Sequence, residues 1–164
     1  MKIVFIQTGG TIDKDYPHTT GGWAFEFGAP AVERILKQLN PSFAFEIRTA
    51  FQKDSLEITA SDRHALAALI NAHPNERFLI THGTDTLLET AAVLDELTEG
   101  KLIVLTGAMR PERFSNSDAP VNLGVAIGAL NTLQAGVYIA MSGLVCPFRE
   151  MQRDERSGRF YRRP

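Results

Sequence analysis

The chain of 164 residues has one cysteine, Cys146, little net charge and no long apolar run. A lone thiol cannot close an internal disulfide or build a cysteine-rich metal site. Flanked by Leu144 and Val145, it reads as a small buried hydrophobe rather than a nucleophile. No stretch is long enough and apolar enough to span a bilayer. The N-terminus opens on Lys2-Ile3-Val4-Phe5-Ile6, a strand-like run without the features of a secretion signal, and the whole suits a reducing cytoplasm. A formal net charge of −2 removes the broad electrostatic case for nucleic acid or an acidic membrane. Arg153, Arg156, Arg159, Arg162 and Arg163 crowd the C-terminus, and most of them read as a solvated, partly frayed tail.

Other absences narrow the chemistry. His18, His64, His73 and His82 are scattered, and no cluster has zinc-ligand spacing. His73, before Pro74 at a helix end, reads as a surface residue; His82 suits a structural hydrogen bond at least as well as catalysis. There is no phosphate loop of the GxxxxGK[ST] type and no GxGxxG fingerprint. No lysine follows Lys101.

What is present is an alternation of strands and helices. Ile3 to Gln7, Phe43 to Phe51, Arg77 to Thr81, Leu102 to Thr106 and a final Val137 to Met141 read as strands, with a weaker β segment at Trp23 to Phe27. Helical spacing marks residues 30–39, a helix after Thr59 that ends at Pro74, one carrying Leu87, Ala91, Leu94 and Leu97, and one from about Asp118 to Leu133. Thr59 and Asp62 have the spacing of a capping box. Length and alternation predict one α/β domain: a doubly wound, mainly parallel sheet with helices on both faces.

Four polar segments follow four of these strands: Thr8-Gly9-Gly10-Thr11, Asp54-Ser55, Thr81 through Thr86, and Thr106 through Pro111. In an open parallel sheet they line one edge, where ligand crevices form. Any one alone is as readily a structural loop, and Asp85 alone is as readily a helix cap. Together they bring hydroxyls, glycines and a carboxylate to one place. Hydroxyls beside exposed backbone N–H groups suit nucleophilic acyl transfer.

These segments resemble the bacterial-type asparaginases. Thr8-Gly9-Gly10-Thr11-Ile12 is similar to that family's first signature, and His82-Gly83-Thr84-Asp85-Thr86 to its second. Gly107-Ala108-Met109-Arg110-Pro111 is similar to a third block, with Ser117-Asp118-Ala119-Pro120 and Asn122 after it. The resemblance runs from about residue 2 to residue 160, and it implies the family's flavodoxin-like N-terminal fold. It also implies Thr11 as nucleophile, Thr84 and Asp85 as a second catalytic group, and Asp85 as the holder of the substrate ammonium. Ser55, after Asp54, takes the α-carboxylate. Backbone N–H groups of Thr11 and Thr84, each following a glycine (Gly10, Gly83), form an oxyanion hole, and the Ala108 carbonyl accepts from the leaving amide. The implied reaction needs no cofactor or metal. It converts L-asparagine to L-aspartate and ammonia in a homo-oligomer.

Three departures qualify the match. Residues 1–164 resemble the family's N-terminal domain alone, without the C-terminal domain that completes a neighbouring site; Met1 and the compact plan favour a natural short form over a fragment. The loop after Thr11 is compressed, with Tyr16 as its nearby tyrosine. Arg153 aligns where the family's relay has lysine, and an arginine cannot lose its proton; its expected partner is Asp85. Lys14 and Lys53 are either substitute bases or ordinary surface lysines. Two rivals follow: a catalytically weak domain that binds or senses a small amino acid, and a flavodoxin-like flavin or phosphate binder.

Overall fold

The computed structural model describes residues 1–16 and 25–164. Its strands are β1 (Lys2–Gly9), β2 (Lys14–Asp15), β3 (Glu26–Phe27), β4 (Ala44–Lys53), β5 (Arg77–Thr81), β6 (Leu102–Thr106), β7 (Gly136–Met141), β8 (Leu144–Pro147), β9 (Met151–Arg153) and β10 (Phe160–Arg162). Its helices are α1 (Ala31–Leu39), α2 (Ala60–Ala72), α3 (Leu87–Leu97) and α4 (Ala119–Thr132).

Six strands form the central sheet in the order β4-β1-β5-β6-β7-β8. The first five run parallel and β8 is antiparallel to β7. Alternate residues of each strand serve opposite faces, as a period of two requires. Ile3, Phe5, Leu79 and Val104 pack under α1 and α4. Val4, Ile6, Ile80 and Leu105 pack under α2 and α3. The central strands are buried on both faces, hence their unbroken apolar runs.

The strand order fixes the position of the crevice. From β1 the chain crosses through α1 to β4 on one side. From β5 it crosses through α3 to β6 on the other. The neighbours β1 and β5 therefore flank a topological switch point, and a gap opens beyond their C-terminal ends. Thr8 Oγ1 donates to the Thr81 carbonyl at 2.8 Å and ties those two ends together.

The C-terminal third departs from expectation. The expected final strand, β7, is followed by Ser142 (φ 54°) and Gly143 (φ 79°). Two consecutive positive φ values make a tight hairpin turn, which returns the chain as β8. The tail expected to be frayed instead forms a β9–β10 hairpin. Phe160, 1% exposed, anchors it beside Met151 and Cys146, while Arg156, Arg159, Arg162 and Arg163 stay exposed. His73 is also buried, not on the surface: at the C-cap of α2 the chain turns toward β5, leaving the ring edge-on to Phe78 with a 5.7 Å centroid separation. The Thr59–Asp62 capping box is formed. Of the weak β segment at 23–27, Glu26 and Phe27 pair with β2; Trp23 and Ala24, like His18, lie outside the described residues. Among the described residues no helix is long and apolar enough to cross a membrane.

Candidate active site

The end of β1 is shaped by glycine. Pairing with β4 slips between Gln7 and Gly9, and Gly9 (φ 99°) and Gly10 (φ 81°) both take the left-handed region, which costs little only without a side chain. Gly10 N–H donates to the Lys53 carbonyl at 3.0 Å. A methyl group on Gly10 would collide with the Gly83 backbone and lie 2.8 Å from the carbonyl carbon of His82. The turns after β1 and β5 thus touch main chain to main chain, so Thr11 and Thr84 follow two glycines in direct contact.

The other segments close around this pair. A Cβ on Gly83 would lie 2.7 Å from Ser55 Oγ, so the buried Ser55 packs against the same turn. Thr86 Oγ1 donates to the Ser55 carbonyl at 2.7 Å. Asp54 accepts from Leu56 N–H at 3.2 Å as the cap of a short 3-10 turn. On the other side His82 N–H donates to the Thr106 carbonyl at 2.9 Å, which leads into Gly107 and the fully buried Ala108. Asn122 Nδ2 donates to the Gly107 carbonyl at 3.0 Å and to Asp118 at 2.9 Å.

Two backbone donors stand out. Thr11 begins a 3-10 turn (Thr11–Asp13), so its N–H is one of the orphans of a helical start. Among the described residues neither Thr11 N–H nor Thr84 N–H donates to a protein group. Thr84 is 8% exposed, which makes an unmet donor there costly unless a ligand or water meets it.

Charge is placed at the rim. Arg153 Nη2 lies 2.9 Å from Asp85 Oδ1, while Arg153 Nε is buried and has no hydrogen-bond partner among the described residues. The pair is joined by tertiary structure alone, since β9 brings residue 153 back over the turn after β5. Lys14 Nζ bonds Asp54 Oδ2 at 2.9 Å, and that ammonium holds the Asp54 carboxyl below its ordinary range. Lys53 Nζ is held by both carboxylate oxygens of Asp62, at 2.9 and 2.8 Å. Tyr16 is 64% exposed, with its ring 5.3 Å from that of Phe25 and 6.1 Å from that of Phe114. Those contacts place it on an aromatic cluster at the loop side.

Asp13, Arg63 and Thr90 carried no signal in the residue patterns, whereas His82 takes the structural hydrogen bonds expected of it. Asp13, 1% exposed, accepts from Ala31 N–H at 2.7 Å and from Thr81 Oγ1 at 3.5 Å. Burial pushes its carboxyl up to about 6 against these hydrogen bonds. Arg63 and Thr90 join His82 in a side-chain chain behind Gly83. Its members come from two helices and a strand end. Among the described residues no group of three or more His, Cys, Asp or Glu could hold a metal ion.

The family model "Asparaginase, N-terminal" matches residues 2–158. The chain belongs to the asparaginase family. It is 31% identical over 160 residues to the glutaminase-asparaginase of Acinetobacter glutaminasificans, covering 91% of this chain and 48% of that protein. It is likewise 31% identical over 160 residues to L-asparaginase 2 of Escherichia coli, covering 91% of this chain and 45% of the relative. The solved structure of the thermostable L-asparaginase from Thermococcus kodakarensis superposes with a TM-score of 0.84 at 27% identity, over 99% of this chain and 51% of that one. The chain spans about half the length of each of these three proteins.

Proposed function

We propose that this asparaginase-family domain hydrolyses a side-chain amide, converting L-asparagine to L-aspartate and ammonia. The observation that carries the reading is the contact of Gly10 with Gly83 at the switch point. It supports the reading because it brings the turns that carry Thr11 and Thr84 into contact.

In this reading Thr11 Oγ1 attacks the amide carbon, and the carbonyl oxygen becomes an oxyanion facing Thr11 N–H and Thr84 N–H. Fixed backbone dipoles stabilise that charge without reorganising. The proton lost by the Thr11 hydroxyl ends on the amide nitrogen; collapse then breaks the C–N bond, expels ammonia past the Ala108 carbonyl and leaves an acyl-threonine, which water hydrolyses. Ser55 receives the α-carboxylate and Asp85 the α-ammonium. Asp54 stands beside Ser55, and Tyr16 completes the set from the loop. No cofactor takes part. Residues 1–164 act as one N-terminal-type domain in a cytoplasmic homo-oligomer, with a small amino-acid amide as its partner.

Thr11→Ala tests the reading. Ammonia release from L-asparagine is expected to be abolished while calorimetric binding of L-aspartate survives. A variant that retains full turnover overturns the assignment.

One observation favours a second reading, a weakly catalytic domain that binds a small amino acid. The cation facing Asp85 is an arginine, which supplies charge but cannot act as a general base. Aspartate binding without ammonia release by the unaltered protein would select it.

A further inference from the structure

His82 is completely buried, and its two ring nitrogens have different partners. Nδ1 lies 2.7 Å from the Gly83 carbonyl oxygen. A carbonyl can only accept, so Nδ1 carries the hydrogen. Nε2 lies 2.8 Å from Thr90 Oγ1 and, in that tautomer, accepts the hydroxyl proton. Arg63 Nε donates to the same Thr90 oxygen at 3.0 Å. Arg63 is itself held by the Ile58 carbonyl at 3.1 Å and by Glu89 at 3.0 Å. A guanidinium only donates and a carbonyl only accepts. The chain from Arg63 through Thr90 and His82 to Gly83 therefore has one possible proton arrangement.

The peptide bond translates this arrangement into the site. Gly83 C=O and Thr84 N–H belong to one planar unit, and no described peptide bond is cis, so the two groups point in opposite directions. A carbonyl held toward His82 turns Thr84 N–H away from it. That N–H has no protein acceptor among the described residues, and it belongs to the turn that Gly10 touches.

We propose that His82, oriented by Thr90 and Arg63, is a positioning residue that fixes the Gly83–Thr84 peptide so that Thr84 N–H serves the crevice beside Thr11. This rests on the amidase reading for its rate consequence, but not for its geometry. The ring is also kept neutral: burial lowers its pKa to about 4, so the tautomer persists through the physiological range.

Three variants of the full chain test the proposal: His82→Leu, His82→Asn and Thr90→Val. Leucine removes the donor to Gly83, whereas the asparagine amide places an N–H where Nδ1 stands. His82→Leu is expected to lower kcat by about 10- to 100-fold, up to the range seen for loss of one oxyanion donor, with KM within about threefold. His82→Asn is expected to regain most of the loss. A packing role alone would leave asparagine no better than leucine, and that result overturns the proposal. Should His82→Leu not fold, Thr90→Val keeps the ring and removes the partner of its Nε2; an unchanged kcat and an unchanged imidazole 15N spectrum in that variant overturn the proposal equally. If the unaltered protein releases no ammonia, the amidase reading fails separately. The Thr84 amide 1H–15N resonance then decides the geometry: it must move in His82→Leu and return in His82→Asn, and a resonance unmoved by the leucine overturns it.

Discussion

At the scale of single residues, the site depends on what each side chain can and cannot do. Arg153 pairs with Asp85 at 2.9 Å and cannot give up its proton, whereas a lysine there can, once burial and neighbouring charge lower its pKa. Arg153→Lys is therefore expected to raise kcat for asparagine by about tenfold or more, against general-base contributions of roughly 10²–10⁴. Ammonia release across pH 6 to 10 covers the range in which such a lysine titrates. A fast unaltered enzyme that the substitution slows would show that Arg153 is no impairment. The base would then be sought elsewhere, and the lysines nearest in sequence, Lys14 and Lys53, are already committed to Asp54 and Asp62. The Thr-Gly-Gly-Thr and His-Gly-Thr-Asp-Thr segments could be read directly from the sequence, because their glycines and hydroxyls announce a close backbone approach. Asp13 could not, since its burial depends on α1 closing over it.

At the scale of elements, the β9–β10 hairpin has a role that its arginine-rich sequence hides. Four exposed arginines suggest a solvated tail, yet one aromatic residue on the inner face supplies enough buried area to hold the hairpin. Phe160 joins Met151 and Cys146 in the core under α3, and β9 carries Arg153 to Asp85. Phe160→Ala is expected to destabilise the chain by about 3–5 kcal/mol, as aromatic-to-alanine changes in cores do. It should also release the Arg153–Asp85 pair. Denaturant unfolding measures the first effect, and weakened aspartate binding reports the second. Full stability in that variant would mean the hairpin is not anchored by this ring. The β7–β8 turn had a legible Ser-Gly signal, but both residues adopt positive φ only because β8 finds an edge of the sheet to pair with.

At the scale of the whole molecule, two buried titratable groups act against each other. Asp13, raised to about 6, binds its proton more tightly when folded. Its contribution is fully present below pH ~4 and is lost as pH rises through about 6. His82, lowered to about 4, behaves oppositely: its contribution is present above the unfolded value of about 6.5 and is lost as pH falls toward 4. Each displacement of a little over two pH units corresponds to roughly 3 kcal/mol, at 1.36 kcal/mol per unit. Stability should therefore change little between pH 4 and 6 in the unaltered chain. Asp13→Asn keeps an acceptor for Ala31 N–H and removes one side of the balance. It is expected to be the more stable protein at pH 7 and to lose stability steeply on acidification to pH 4. A pH series of denaturant midpoints checks this, and parallel curves for the two proteins would contradict it.

The sequence by itself determined the five parallel strands of the central sheet, the four helices and the family, because apolar periodicity and glycine-hydroxyl motifs are local properties; the strands after β7 escaped it. It also set the order in which the polar segments follow their strands. Only the tertiary structure decided which segments meet. The strand order β4-β1-β5 places the switch point between β1 and β5. The contact of Gly10 with Gly83 joins turns more than seventy residues apart. The hairpin delivers Arg153 to Asp85, and α2 and α3 meet behind Gly83 to form the chain from Arg63 to His82. Such contacts leave no periodic trace in the sequence. They arise when separate elements bury their apolar faces against one sheet and so bring distant polar groups within hydrogen-bonding reach.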